Sequence, residues 1–345
     1  MALPSVVQSA PRPILALAPM ATLGHAGFRT LVHELGGCDL LFSEMISAEA
    51  FVGGTPFESW YVETAPDPSR LIFQLIGKQA DRIVEAARQI GRLDCAGIDI
   101  NFGCSAPHIR KAGGGIAWTA DPDRACDLIA RLREAVPAER TVSVKLRLGE
   151  GDEPDETLSF AHRLADAGAD FLTIHPRRMK EGYARPARWS MIERFARELA
   201  IPVLGNGDVR TIVDYEAAAG TGVAGVMIGR GAVARPWIFR DIRAGASEAA
   251  GSGGAAAALD RAAIADRFHQ LLELYQPPEF HHTRARRFHG YFLADMPFGA
   301  RPAAQVHAME GYPQIVAHVR RVLSGANGCP PSSQPEIQNG GTDEQ

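Results

Sequence analysis

One cysteine, Cys104, lies in a glycine-containing turn directly after an apolar run, and His108 follows it by four residues. A thiol at such a place can act as a nucleophile when a base removes its proton, as a metal ligand, or as a proton donor while neutral. A free thiol with the ordinary pKa of about 8.5 is mostly protonated at pH 7, which suits proton donation. The role of Cys104 therefore depends on where the turn lies in the fold.

Other residues that could take part in binding or catalysis recur at or near the ends of short apolar runs. Gln74 and Lys145 interrupt runs that otherwise read as buried strands, where a polar side chain costs free energy unless it is paired. The remaining candidate positions at or near the ends of these runs are Pro19, Met20, Ala21, Glu44, Asn101, Arg147, His175, Arg177, Asn206, Gly207, Asp208, Gly229, Arg230 and Gly231. Their repetition along the chain indicates that they belong to one site.

The elements that must position these residues alternate regularly between residues 14 and about 240. Apolar, β-branched runs are separated by helix-length amphipathic segments; the runs are ILALAPM, LLFSEMI, LIFQLIG, GIDINFG, TVSVKLRLG, FLTIHP, PVLGNGD and GVMIGRG. Near-continuous apolar strands separated by helices predict a parallel sheet covered by helices. Eight such units predict an α/β fold of the (β/α)8 TIM-barrel type, whose active sites lie at the carboxyl ends of the strands.

Two of the predicted strand-end loops suggest a ligand. The sequences GNGD and GRGAVARPW follow the seventh and eighth strands, where TIM barrels commonly bind phosphate through glycine-rich backbone. Arg230 adds a cation to the second loop. A phosphorylated cofactor or substrate is therefore expected, and FMN is one candidate. Lys145 would then lie near the N1/O2 edge of the flavin, where positive charge stabilises the reduced anionic ring.

Composition changes after the barrel predict four segments. Residues 1–243 form the catalytic barrel, and the alanine- and glycine-rich residues 244–259 form a flexible linker. Residues 260–323 form a small helical domain, and residues 324–345 form a disordered tail. The helical part carries eight Lys or Arg against six Asp or Glu up to residue 325, which raises the possibility of a polyanion contact.

The overall composition excludes several classes. The net charge is −4, and no run reaches the roughly 18–20 apolar residues that a membrane span requires. The first apolar run has no basic segment before it, so it reads as a strand and not as a signal peptide. The five cysteines are scattered with no CxxC, which argues against disulfides and a structural zinc site. We expect a cytoplasmic protein with no bound metal and no membrane contact.

The motifs together resemble the tRNA-dihydrouridine synthases. The resemblance covers roughly residues 14–240, and RRFHGYF and AMEGYPQIV are similar to the smaller C-terminal domain of that family. The motifs that carry it are LAPMATLGHAGFR, SEMISAE, FQLIG, DINFGCS followed by K.GGG, VKLRLG, TIHPRRMKEGYARPARW, VLGNGDV and MIGRGA..RPW. The resemblance implies an FMN-bound barrel that reduces uridine in tRNA to 5,6-dihydrouridine. Hydride would pass from flavin N5 to uracil C6, a proton would reach C5, and NADPH would re-reduce the flavin. A monomer is expected.

The resemblance also implies residue roles. Cys104 falls on the proton donor, and Asn101 and Arg177 are the expected uracil contacts. The FMN-binding positions are Pro19, Met20, Ala21, Gln74, Lys145, His175, Asn206, Gly207, Asp208, Gly229 and Arg230. The helical domain would grip the RNA backbone, with Arg286 and Arg287 as phosphate contacts and Arg284, Arg320 and Arg321 as further candidates. Ser105 and His108 stand where the family usually has proline and lysine.

Three other interpretations stay open at this stage. An FMN barrel oxidoreductase acting on a small-molecule enone or dihydropyrimidine would have the same phosphate loops but no RNA-gripping domain. A cysteine hydrolase or transferase would use Cys104 with His108, although Pro107 and the nearby glycines favour a loop there. An RNA-binding module without catalysis would have no use for Cys104 and Lys145. The tRNA position and the choice between NADPH and NADH are also open.

Overall fold

Eight parallel strands close into a barrel in the order β1-β2-β3-β4-β5-β6-β7-β8, with β8 pairing back to β1. The computed structural model describes residues 3–149, 155–181, 185–249 and 259–325. The strands are β1 Ile14–Leu17, β2 Leu40–Ser47, β3 Leu71–Ile76, β4 Gly97–Phe102, β5 Thr141–Leu148, β6 Phe171–Arg178, β7 Val203–Asn206 and β8 Gly225–Ile228. The predicted (β/α)8 TIM barrel is confirmed.

The barrel interior changes from apolar to polar along the strands. A buried apolar cluster that includes Ile14, Phe42 and Phe171 fills the lower interior, and Leu3 and Val7 of the N-terminal segment join it. Because successive side chains of a strand point to opposite faces, every second residue points inward. Towards the carboxyl ends these inward residues become polar: Gln74, Asp99, Asn101, Ser143, Lys145, Arg147, Thr173, His175 and Asn206. The lower part of the barrel interior is therefore an apolar core, and the part at the carboxyl ends of the strands is polar.

Helices cover the outside of the barrel. They are α1 Ala26–Leu35, α2 Ala48–Val52, α3 Ala80–Ile90, α4 Pro107–Lys111, α5 Pro122–Ala135, α6 Asp155–Asp166, α7 Trp189–Glu198, α8 Ile212–Ala219, α9 Arg230–Ala234 and α10 Ile238–Ala249. Short 3-10 turns occupy Ser5–Val7, Glu58–Val62, Pro68–Arg70, Gly115–Ala120 and Met179–Glu181. The helices bury their apolar faces in one large cluster against the outer face of the sheet.

Four further helices form the C-terminal part: α11 Arg261–Tyr275, α12 Pro278–Phe292, α13 Ala300–His307 and α14 Tyr312–Leu323. They share one hydrophobic cluster with the barrel helices. The rings of Phe268 and Phe288 stack with their centroids 3.8 Å apart, and Phe28 of α1 lies 5.8 Å from Phe288. At Gly27 a methyl group would come within 2.7 Å of the Leu271 carbonyl oxygen, so the missing side chain lets α1 and α11 approach closely.

The predicted linker begins inside a helix. Helix α10 continues to Ala249, so the first six residues of the predicted linker 244–259 are helical and the barrel part extends beyond residue 243. The alanine- and glycine-rich composition of that stretch predicts a linker, whereas its backbone continues the helix. Residues 250–258 and the predicted tail from residue 326 onward lie outside the described residues. Within the described ranges, no helix is long and apolar enough to cross a membrane.

Candidate active site

A cavity of about 410 Å³ opens at the carboxyl ends of the strands. This volume lies within the range of about 300–1,000 Å³ that is usual for small-molecule and cofactor sites. Its described lining includes the turn after β1, the Cys104 turn after β4, the ends of β5 and β6, the loops after β7 and β8, and two residues of α12. The site therefore lies where TIM barrels place their chemistry.

Cys104 lies at the cavity wall in the turn between β4 and α4, and its side chain is half-buried. Asn101 fixes this turn because its Oδ1 accepts hydrogen bonds from the Cys104 N–H at 2.8 Å and the Gly103 N–H at 3.1 Å. The Cys104 carbonyl accepts the Ile116 N–H at 3.0 Å, which ties the turn to the glycine segment behind it. The thiol is thus held at a defined place on the wall.

A buried hydrogen-bonded chain lies beneath the cysteine turn. Asn101 Nδ2 donates to Gln74 Oε1 at 2.9 Å, and Gln74 Nε2 donates to Asp99 Oδ2 at 2.7 Å. The hydroxyl of Ser143 donates to the other oxygen of Asp99 at 2.7 Å. Burial raises the pKa of Asp99 to about 6, although these two hydrogen bonds and the charge of Lys145 oppose the shift. The chain fixes the orientation of Asn101, and through it the cysteine turn.

Lys145 and Arg147 bring positive charge to the floor of the cavity from alternate positions of β5. Burial, assisted by the neighbouring Arg147 charge, lowers the pKa of Lys145 to about 8. The ammonium group is therefore still the major form at pH 7, and an anionic ligand would stabilise it further. Such a cation is suited to a ligand that carries or develops negative charge above it.

His175 is a neutral imidazole at the end of β6. Burial, together with Lys145, Arg147 and other nearby cations, lowers its pKa to about 2. Its Nε2 lies 3.3 Å from Nη1 of Arg177, and since a guanidinium only donates, this nitrogen accepts. The ring proton is then on Nδ1, which makes His175 a hydrogen-bond donor at the cavity wall.

Asp208 organises the loop after β7. It accepts hydrogen bonds from Arg177, from the Ala187 N–H at 2.8 Å and from Arg230 Nη2 at 3.1 Å. Burial would raise the pKa of Asp208, but these donors outweigh it and lower the pKa below its ordinary value. Asp208 has a left-handed backbone with φ +56°, which its three partners stabilise. It links the loops after β6, β7 and β8.

Glycines in the loops after β7 and β8 let these loops pack closely against neighbouring segments at the cavity. A methyl group on Gly207, where φ is +146°, would come within 2.7 Å of Ala187 Cβ. On Gly231 it would come within 2.3 Å of the Val209 carbonyl oxygen. Asn206 is held in place because its Nδ2 donates to the Met227 carbonyl at 2.8 Å. With Arg230 beside them, these glycines form a concave, cationic rim.

The C-terminal helices contribute to the same cavity. Arg287 and Tyr291, four residues apart on α12, both line it. Residues at this spacing lie on one face of a helix. Of the described residues that line the cavity, five are Lys or Arg and one, Asp208, is acidic. This imbalance favours an anionic ligand such as a phosphate ester or a polynucleotide.

Most of the residues predicted for the site meet at this cavity. Those that line it are Pro19, Met20, Ala21, Asn101, Cys104, Lys145, His175, Asn206, Gly207, Asp208, Gly229, Arg230 and Arg287. Gln74 is fully buried beneath the floor, and Arg177 is buried behind His175, where its Nε donates to the Arg185 carbonyl at 2.7 Å. Arg286 is half-buried on α12 and is not part of the cavity lining.

The further phosphate candidates of the helical part differ in their surroundings. Arg284 is buried and ion-paired to Glu44, with Nη1 2.5 Å from Oε1, so the prediction that it contacts RNA phosphate is wrong. Arg320 is exposed and paired with Asp266 at 2.9 Å, and Arg321 donates to His318. The amphipathic pattern of α12 did not distinguish Arg284 from Arg287, because only the packing against the barrel does so.

Asp99 and Tyr291 are among the site residues that were missed from the sequence. Asp99 lies two residues before Asn101 in β4, so strand alternation places both on the inner face, and this spacing was the available signal. Tyr291 follows Arg287 by one helical turn, and that i, i+4 relation could have paired them. In both cases the periodicity was present, but each residue is of a type that also occurs commonly in helices and strands without any ligand.

The arrangement does not support an activated cysteine nucleophile. His108 lies in the five-residue helix α4 with an exposed side chain, while Cys104 precedes that helix. Among the hydrogen bonds of the described residues, none joins the two side chains. Nowhere among the described residues do three or more His, Cys, Asp or Glu side chains cluster in a way that could hold a metal ion.

Comparisons with known proteins give consistent results. The dihydrouridine synthase (Dus) family model matches residues 16–292. A tRNA-dihydrouridine(16) synthase from Cupriavidus necator is 35% identical over 239 residues, which are 66% of this chain and 73% of that protein. A protein of the same name from Neisseria meningitidis serogroup A is 34% identical, over 66% and 71% of the two chains. A probable tRNA-dihydrouridine synthase from Aquifex aeolicus is 34% identical, over 66% and 72%.

A solved structure shares the architecture. Histamine dehydrogenase from Rhizobium sp. 4-9 superposes with a TM-score of 0.52 and 14% sequence identity, over 68% of this chain and 46% of that one. At this level of identity the likeness concerns the barrel fold alone. The family match, in contrast, extends through the strand-end loops that build the cavity.

Proposed function

The chain belongs to the dihydrouridine synthase family, and we propose that it reduces uridine 16 of tRNA to 5,6-dihydrouridine with FMN as its cofactor. The position rests on the relatives, since those from Cupriavidus necator and Neisseria meningitidis are named tRNA-dihydrouridine(16) synthases. The single observation that carries the chemistry is the cavity itself. It combines a held cysteine, a cationic floor and a glycine rim, and a helix of the C-terminal part closes one side.

The residues around the cavity fit FMN. The 5′-phosphate would suit the glycine rim of Gly207, Gly229 and Gly231, which lines the cavity, and Arg230 would supply a counter-charge. Lys145 and the Nδ1–H of His175 would suit the acceptor atoms of the flavin ring, and the turn Pro19–Ala21 would help to hold it. FMN, when bound, supplies the hydride for C6 of uracil, and NADPH is the proposed source of its electrons.

Cys104 holds the proton that the reaction needs. Reduction of the C5–C6 double bond requires a proton at C5, and the thiol on the cavity wall is the proposed donor. Asn101 keeps the thiol in place through the Cys104 N–H, while Gln74 and Asp99 hold Asn101 from below. In this account Asn101 and Gln74 are positioning residues, and Arg177 acts through His175 and Asp208.

The C-terminal helices provide the proposed contacts with tRNA. Arg287 is exposed on α12 and lines the cavity, so it is the proposed contact for a phosphate beside the reduced uridine. Arg286, on the neighbouring face of the helix, would contact the backbone further along. A uracil has to leave its stack to reach a barrel cavity, as in other enzymes that modify bases. Tyr291 at the rim offers a ring on which that base can stack.

The test uses purified protein. We expect it to carry a yellow chromophore that is released on denaturation as FMN, and to form dihydrouridine in an unmodified tRNA transcript when NADPH is supplied. A transcript in which uridine 16 is replaced by cytidine should not be reduced at that position. Reduction of free enones without any RNA, with no product in tRNA, would instead favour a small-molecule oxidoreductase and contradict the proposal.

A further inference from the structure

A buried ion pair joins the barrel to the helical part beside the cavity. Nη1 of Arg284 on α12 lies 2.5 Å from Oε1 of Glu44 in β2, and both side chains are almost fully buried. Phe280 and Tyr61 cover the guanidinium, whose Cζ lies 4.8 Å and 5.8 Å from their ring centroids. This pair is not part of the cavity lining.

Glu44 also holds the segment after β1, on another wall of the cavity. Its second carboxylate oxygen accepts the Thr22 N–H at 2.6 Å. Thr22 follows the turn Pro19–Ala21 that lines the cavity, and it has a left-handed backbone with φ +65°. A non-glycine residue in this region is strained and persists only when its surroundings hold it. One carboxylate thus anchors a strained residue of one wall and the helix that forms the other.

The face that Arg284 occupies is the face that reaches the cavity. Arg284, Arg287 and Tyr291 are spaced i, i+3 and i+7, so they lie along one side of α12. Fixing Arg284 on the barrel therefore fixes the rotation of the helix, and with it the direction in which Arg287 and Tyr291 point. Another ion pair of the interface, between Arg267 of α11 and Glu34 of α1, is exposed and lies on neither cavity wall.

We propose that Glu44 and Arg284 are positioning residues. They fix the cavity wall formed by Arg287 and Tyr291 of α12 relative to the wall formed by the turn Pro19–Ala21. The inference rests on the proposed function, because it assigns Arg287 and Tyr291 to RNA and Pro19–Ala21 to FMN. A buried pair is a costly way to join two elements, since desolvation offsets much of the attraction between the charges. Its specific hydrogen-bond geometry suits the positioning of the two cavity walls better than the stabilisation of the interface.

The test separates alignment from folding. Removing one partner would leave the charge of the other buried, so the main variant is the neutral pair Glu44→Gln with Arg284→Met. Buried Arg29, which also faces Glu44, keeps its hydrogen bonds to the Gly24 and Ala65 carbonyls in this variant. The amide oxygen introduced at position 44 can still accept the Thr22 N–H, and we therefore expect FMN content and melting temperature close to wild type. Because the ion pair between β2 and α12 is lost, kcat for dihydrouridine formation should fall about tenfold or more. KM for tRNA should change less than about threefold.

Two further variants complete the experiment. Glu44→Ala removes both bonds, and hydrogen exchange should then speed up in residues 19–24 and in α12, and the protein should lose FMN. Arg267→Gln, at the exposed pair of the same interface, should match wild type in every assay. Equal kcat and equal exchange rates in all variants would overturn the inference. The exchange result stands even if no dihydrouridine is formed by wild type, so it is distinguishable from failure of the proposed function.

Discussion

The substitution Gly115→Ala tests whether the backbone behind Cys104 determines where the thiol lies. Gly115 has φ +58°, and an added Cβ would lie 2.5 Å from the Cys104 carbonyl oxygen and 3.1 Å from Cys104 Cβ. An alanine in the left-handed region costs roughly 1–2 kcal/mol. The contact with the carbonyl falls about 0.9 Å short of ordinary van der Waals separation, which begins at 3.4 Å, so the cysteine turn must move by about that distance.

The two effects have separate readouts. The free energy of unfolding, measured by urea denaturation, should fall by roughly 1–3 kcal/mol, the backbone penalty plus incomplete relief of the contact. The rate of dihydrouridine formation should fall by about 10²-fold, because a misplacement of about 1 Å is sufficient for such a loss. FMN content should stay near wild type, since the glycine rim and Lys145 lie on other strands.

A matched control isolates the contact from the backbone strain. Gly222, in the turn between α8 and β8, has φ +76° and no heavy atom within 4 Å of an added Cβ. It lies at the amino-terminal end of β8, on the side of the barrel away from the cavity. Gly222→Ala should therefore lose similar stability and keep full activity. If Gly115→Ala also keeps wild-type activity at a similar loss of stability, the reasoning about the cysteine turn is refuted.

Three other perturbations follow from the charges in the structure. Because the pKa of Lys145 is lowered to about 8, FMN affinity in a fluorescence titration should weaken between pH 7 and pH 9 as the ammonium is lost, and Lys145→Met should bind FMN weakly with no such dependence. The buried pair His269 and His289, with Nε2 atoms 2.7 Å apart, should make folding sensitive to acid. Burial lowers the pKa of His269 to about 4, below the unfolded value near 6.5, so the unfolded chain binds more protons and stability is lost as pH falls from 6.5 towards 4; replacing both by Gln should flatten that profile in thermal melts. Asp208→Asn should reduce the free energy of unfolding by about 2–3 kcal/mol in urea titrations, because buried Arg177 loses a charge-assisted hydrogen bond, and an unchanged value would show that Arg177 has adequate other partners.

The fold could be predicted from the sequence because its signal is repeated eight times. Apolar runs alternating with amphipathic helices determine a parallel barrel, and barrel geometry then brings the strand ends together. The same rule predicts that Cys104, Lys145, His175 and Asp208 meet at one cavity, and all four line it. Local pattern was sufficient wherever the position of a residue follows from its strand.

The failures concern relations between elements that are distant in sequence. Arg284 and Glu44 are separated by 240 positions, and no periodicity links them, so Arg284 read as one more exposed cation of α12. Gln74 is costly inside a strand, as its type indicates, but its partners Asp99 and Asn101 come from the neighbouring strand and depend on register. The extension of α10 to Ala249 is a separate, local difference, because a composition rich in alanine and glycine favours a linker there.

The most direct measurement maps dihydrouridine in tRNA from cells that lack this protein. The account predicts that dihydrouridine at position 16 is lost, that the wild-type chain restores it, and that Cys104→Ala fails to restore it although that variant folds and retains FMN. Unchanged dihydrouridine at every tRNA position in the deletion strain would contradict the proposed function.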